Sequence, residues 1–213
     1  MLNFSPVIFK INNTMLNKSY LITILAFLFA FSTATAQDVT YQISEIHQFK
    51  IDGDANVRSW DADITEADAT LVLTDVDNLS LDALTEESIK SLEINIPVEG
   101  IDSDSRRLTR NLHGYLKGDD FPVITFVLQQ INSITYENGS AQISADGLIS
   151  AAGVENSVSM DVEATVNGNG SITFSGVQRL LMTDFDIDPP TAVMGTVRAD
   201  DEIDIIYQVT FAR

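Results

Sequence analysis

Two-residue alternation of apolar and polar side chains recurs along this chain, and it constrains the fold more than any other feature. Such a pattern marks strands with one face buried. Ala69, Leu71 and Leu73 alternate with Thr70, Val72 and Thr74. Leu92, Ile94, Ile96 and Val98 do the same, and Ile124, Phe126 and Leu128 follow Pro122. The longest runs are Val158, Met160, Val162, Ala164 and Val166, and then Ile203, Ile205, Tyr207, Val209 and Phe211. Weaker strands are expected at Thr40–Ile46, Ile131–Tyr136, Ala141–Leu148 and Ser171–Leu181. Asn138-Gly139 and Asn167-Gly168-Asn169-Gly170 read as hairpin turns between them.

One stretch departs from this period. Asp104 to Lys117 places Leu108, Leu112, Tyr115 and Leu116 at helical spacing. Asp102 or Ser103 suits the N-cap, and Gly118 suits the stop. A weaker helical turn is expected near Leu84–Lys90. Eight or more antiparallel strands with one short helix point to an all-β fold, a closed barrel or a sandwich. Closure removes the edges that so many strands would otherwise expose. About eight strands leave room for filling side chains or one small ligand.

The N-terminus reads as an export signal. Tyr20 to Phe31 is apolar apart from one Thr, Lys18 precedes it, and Ala34-Thr35-Ala36 follows. The run is shorter than the roughly 20 residues of a spanning helix. Cleavage is expected after Ala36, with Met15 as an alternative start, so residues 37–213 form the mature domain. Periplasm or secretion follows as the expected location. No Cys stands at the cut, which closes the lipoprotein route, and the whole chain has none. Disulfides, thiol catalysis and Cys-ligated zinc are thereby excluded.

Removing 36 residues from 213 leaves 177, enough for one domain with a sizeable core. The removed segment carries Lys10 and Lys18 and no acid. The balance falls from 12 basic and 31 acidic residues to 10 and 31, a net −21. Phosphate backbones and anionic membrane surfaces are therefore disfavoured as partners. Such charge keeps an exported protein apart from its neighbours.

Catalytic and metal signatures are thin. His47 and His113 are the sole histidines, and neither has an H-x-x-x-H partner. Nucleophile elbow, P-loop and dinucleotide fingerprint are missing. Asp184-x-Asp186-x-Asp188 begins like a calcium loop, but Pro189 replaces the required Gly and Gly195 the required Glu. Acidic pairs abound without one standing out, so a carboxylate-dependent hydrolase survives only as an alternative. No catalytic residue, metal ligand or cofactor is assigned, and the chain is not expected to be an enzyme. What remains is an excess of apolar side chains on strands, helix and one Pro-containing loop, the material of a cavity for an apolar ligand.

Four blocks resemble the YceI-like polyisoprenoid-binding family. Gly53-Asp54-Ala55-Asn56-Val57-Arg58-Ser59-Trp60 is similar to its early G-T-S-x-(V/L)-H-x-W segment. Pro97-Val98 through Ile101-Asp102 and the helical stretch to Phe121-Pro122-Val123-Ile124-Thr125-Phe126 resembles its aromatic-P-x-I-x-F strand after a helix, with Arg106 at the family's arginine. Gly147-x-Ile149-Ser150-x-x-Gly153-Val154-x-x-x-Val158-x-Met160 resembles its G-x-L-T-x-x-G-V-x-x-x-V-x-L, and Met182-Thr183-Asp184-Phe185 its late D-F. Arg58 replaces the family's His, and Arg107 and Thr109 replace its acid and second His, so polar head-group contacts are not carried over.

The resemblance implies an eight-stranded antiparallel lipocalin-like barrel with an apolar tunnel for an isoprenoid or quinone tail. Inward parity nominates Ile94, Ile96, Ile124, Phe126, Met160, Val162, Ile203, Ile205 and Tyr207 as lining, together with Leu112 and Phe174. The helix and the loop Asp184–Gly195, with Phe185 and Met194, would border the mouth. Trp60 is expected to pack at one barrel end. A barrel with a filled core acting as an interaction module is the main alternative, and pairing of two chains is left open.

Overall fold

In chain order the strands are β1 (Asp38–Ala55), β2 (Trp60–Ile64), β3 (Asp68–Thr74), β4 (Ile89–Pro97) and β5 (Ile101–Asp102). After helix α1 (Arg106–Tyr115) come β6 (Val123–Glu137), β7 (Ser140–Ala151), β8 (Val154–Val166), β9 (Ile172–Leu181), β10 (Thr191–Ala192) and β11 (Val197–Ala212). This computed structural model describes residues 38–74, 79–192 and 195–213. The expected signal segment and Met194 lie outside them.

Eight strands close a ring in the order β1, β3, β4, β6, β7, β8, β9, β11, and β11 pairs back to β1. Every neighbouring pair around it is antiparallel. The protein is thus an all-β closed barrel with one helix. Two short strands extend the wall: β2 pairs β1 over Lys50–Gly53, farther along than the Asp38–Gln42 stretch that pairs β3, β5 pairs β2, and their Ile64 and Ile101 face the interior.

Turn chemistry explains the hairpins. Asn138 and Gly139 both have positive φ, 50° and 87°, as the type I′ turn between β6 and β7 demands. Ala152 and Gly153 repeat this geometry between β7 and β8 at 52° and 85°. The sequence gives no warning of that second turn, because Ala seldom adopts positive φ.

Two strands depart from the simple period. β6 is one strand, whereas the alternation predicts two, at Ile124–Leu128 and Ile131–Tyr136. Register shifts between Leu128 and Gln130 and between Ile131 and Ser133 each insert one extra residue. The inward series therefore steps by three, Leu128, Ile131, Ile134. β1 behaves alike, with shifts between Ile43 and Glu45 and between Ile46 and Gln48. The expected strand Thr40–Ile46 is thus part of the N-terminal half of an 18-residue strand.

Helix α1 is shorter than expected. Its N-cap is Ser105, whose hydroxyl accepts from the Leu108 N–H at 3.4 Å. Asp102 instead accepts from the Thr109 hydroxyl at 2.7 Å and holds the approach to the helix. At the far end Lys117 takes φ 53°, and the Gly118 and Lys117 N–H groups donate to His113 and Gly114 carbonyls. That is a Schellman closure with Lys at the left-handed position. The helical turn expected near Leu84–Lys90 is a single hydrogen-bonded turn, in which the Ser88 and Ile89 N–H groups both donate to the Thr85 carbonyl, at 3.0 and 3.4 Å. A 3-10 turn at Leu81–Ala83 precedes the buried Leu84, and β4 begins at Ile89.

The core gathers in three places. Tyr41, Leu71, Leu73, Ile143, Ile172 and Phe211 fill one end of the barrel. Leu112 seals α1 against Ile51, Ala62, Ile64 and Ile101. Met182, Phe185 and Ile187 pack on Ala151 and Ala152. Trp60 pairs with Gly53, and its indole lies where a Gly53 side chain would stand. Gly53→Ala should therefore displace the indole and cost on the order of 1 kcal/mol by denaturant unfolding, with unchanged stability refuting the contact.

Candidate functional site: an apolar cavity in the barrel

Above the packed end lies a cavity of about 210 Å³. The inner faces of opposed strands build it. Ile94 pairs Phe126 and Ile96 pairs Ile124 across β4 and β6. Ile203, Ile205 and Tyr207 face it from β11, Met160 and Val162 from β8, and Phe174 from β9. The structure brings all of these parity-nominated residues to one lumen. Phe185, expected at a mouth loop, also lines it.

Leu112 does not. It is 8% exposed and is spent on fixing the helix to the barrel, while Leu116, one turn later, reaches the cavity. Helical spacing identifies an apolar face but not which of its residues meets a void. Sequence reasoning missed Ile43 and Phe49, because the β1 bulges break the parity that would have found them. It also missed Ile149, Leu180, Met182 and Ile187. The acidic triplet could have flagged the last of these. Asp184, Asp186 and Asp188 are exposed, while Phe185 and Ile187 between them are buried. The alternation belongs to a lining segment rather than to a calcium loop.

Glycines set the shape of the lumen. The Phe126 ring occupies the place of a Gly147 side chain on β7. A Cβ at Gly176 would stand 2.5 Å from the Tyr207 hydroxyl and 3.2 Å from the Asp161 carbonyl oxygen. Tyr207 therefore lies over the bare backbone of β9 and points its hydroxyl toward β8. Phe49 meets the Tyr207 ring edge-on at 6.5 Å between centroids.

The barrel wall is not uniform. β8 and β9 pair only from Glu163↔Ser175 to Val166↔Ile172. Beyond that fork, Val154–Val162 of β8 bonds to β7 alone, and Gly176–Leu181 of β9 bonds to β11 alone. The chain from Met182 to Ile187 packs into the resulting gap.

The lumen's electrostatics are simple. No charged residue lines it, and Thr125, Gln178 and Tyr207 carry its polar side chains. Thr125 sits between the inward Ile124 and Phe126, on the opposite parity. Burial, and then the neighbouring Asp161 charge, push the Tyr207 hydroxyl up to about 12. The two histidines are far from each other in role. His113 bonds the Ile101 carbonyl at 2.8 Å, tying α1 to β5, and His47 bonds the Thr210 hydroxyl at 2.9 Å.

The YceI-like domain model matches residues 41–211, most of the chain. The chain belongs to the YceI-like family. Solved structures agree on the fold of this YceI-like domain. Burkholderia cenocepacia BcnA is 19% identical with a TM-score of 0.54, covering 76% of this chain and 95% of its own. The Campylobacter jejuni YCEI protein is 18% identical with a TM-score of 0.53, covering 71% and 84%. A polyisoprenoid binding domain from Saccharophagus degradans, implicated in plant cell wall breakdown, is 6% identical with a TM-score of 0.57, covering 80% and 97%. No curated protein matches the chain in sequence. Among the described residues, no helix of this YceI-like domain is long and apolar enough to cross a membrane.

Proposed function

We propose that this YceI-like domain is an exported binding protein that holds an apolar isoprenoid- or quinone-like lipid in its barrel and performs no catalysis. The observation that carries the reading is the cavity, walled almost wholly by hydrocarbon side chains within a closed barrel. A hydrocarbon tail gains about 0.8 kcal/mol per CH₂ buried, so a fitted apolar lumen binds with few polar anchors. The likeness in fold to a polyisoprenoid binding domain supports the same ligand class. The apolar N-terminal segment and its Ala34-Thr35-Ala36 exit support export to the periplasm or beyond.

Native mass spectrometry of the chain purified from its exported compartment, followed by organic extraction, tests the reading. The expected result is a hydrophobic molecule at about one per chain, released on denaturation. A clean apo mass, with no uptake of added quinones or polyprenols, would replace it with the filled-barrel interaction module.

A further inference from the structure

The lumen contains a polar feature that tail burial does not use. Tyr207 and Gln178 stand on the inner faces of neighbouring strands, Tyr207 opposite Gly176 and Gln178 opposite Ile205. That makes them diagonal neighbours, within reach of one ligand group. The Tyr207 hydroxyl makes no hydrogen bond among the described residues. Every fully buried side-chain N or O there does have a partner, so this hydroxyl faces open space. Gln178 donates one amide hydrogen to the Arg179 carbonyl at 3.0 Å. Its second hydrogen and its carbonyl oxygen remain for a ligand.

Both groups border the fork where β8 and β9 part. Neither carries charge. The basic residues Arg106, Arg107 and Arg110 lie exposed on α1, and none lines the cavity. An ionised head drawn into this lumen would lose its hydration without gaining a counter-charge.

We infer that Tyr207 and Gln178 form a head-group subsite that selects lipids with an uncharged hydrogen-bonding head, a carbonyl or hydroxyl, over lipids with a phosphate or carboxylate. This rests on the lipid-carrier reading and narrows it. The phenol stays a neutral donor at every physiological pH, as its raised ionisation requires. A quinone carbonyl accepts from it, and an alcohol hydroxyl exchanges bonds with both side chains. The tail then runs along the apolar floor toward Phe126 and Ile94.

Competition binding with four probes tests it: decylubiquinone, geranylgeraniol, geranylgeranyl phosphate and the headless hydrocarbon squalene. The quinone and the alcohol should bind about tenfold or more tighter than the phosphate. Tyr207→Phe should weaken the quinone and alcohol about fivefold and leave squalene unchanged. Gln178→Leu supplies a second variant with the same expected pattern. Equal or tighter binding of the phosphate, above all if lost in Arg106→Ala, would overturn the subsite. So would equal losses for squalene and the quinone. If none of the four probes binds the unmodified chain, the carrier reading falls, and the subsite with it.

Discussion

Phe126→Asp should abolish lipid uptake in a barrel that still folds. Phe126 faces the lumen from β6, paired with Ile94 on one side and Ile149 on the other. Its ring also covers the bare backbone of Gly147. No cationic side chain lines the cavity to meet a carboxylate there, and Thr125, Gln178 and Tyr207 are the lining residues with a side-chain donor. The carboxylate would draw water into the cavity and remove the gain from tail burial, a penalty of several kcal/mol. Losing the ring should also lower stability by about 3 kcal/mol. Phe126→Leu keeps the lumen apolar and should retain uptake. The check is uptake of a fluorescent polyene, with circular dichroism to verify folding. Undiminished uptake by folded Phe126→Asp would mean that the lipid does not occupy this cavity.

The second large effect concerns alkali. Tyr207 ionises near 12 in the folded chain and near 10 in the unfolded one. Below pH 10 both states keep the proton, and the difference is silent. Between pH 10 and 12 the unfolded state loses its proton first, so stability falls as pH rises. Across that window the loss is about 2 kcal/mol. Tyr207→Phe removes this component and should give a shallower decline. Denaturant midpoints at pH 10 and 12 for both proteins decide the matter. Parallel declines would show that the hydroxyl is not buried as described.

Much of the barrel was legible because its strands obey one period. β3, β4, β8 and β11 announce themselves, and their parity names lining residues on three sides of the lumen. β6 was misread as two strands, and β1 was seen only in part, for a single physical cause. A bulge adds a residue that no ladder position uses, and the inward face moves by one. In sequence this looks like the end of a strand. Leu112 was misplaced for another reason. Its spacing correctly marks an apolar helix face, but burial beneath α1 satisfies that face before the cavity is reached. Gln178 is absent from the nominated lining because a polar residue in an inward position interrupts the apolar alternation that names lining residues.

The fork between β8 and β9 has a mechanical consequence. Around most of the circumference, widening the lumen means breaking backbone bonds between neighbouring strands. Along Val154–Val162 no such bonds join β8 to β9, and the seam is closed by the side chains of Met182, Phe185 and Ile187. Parting it costs contact area alone, and the contacts re-form around whatever lies inside. This side of the container yields where the hydrogen-bonded walls beside it, β7 to β8 and β9 to β11, hold. On the lipid-carrier reading, this seam is where the wall gives way to a bulkier ligand.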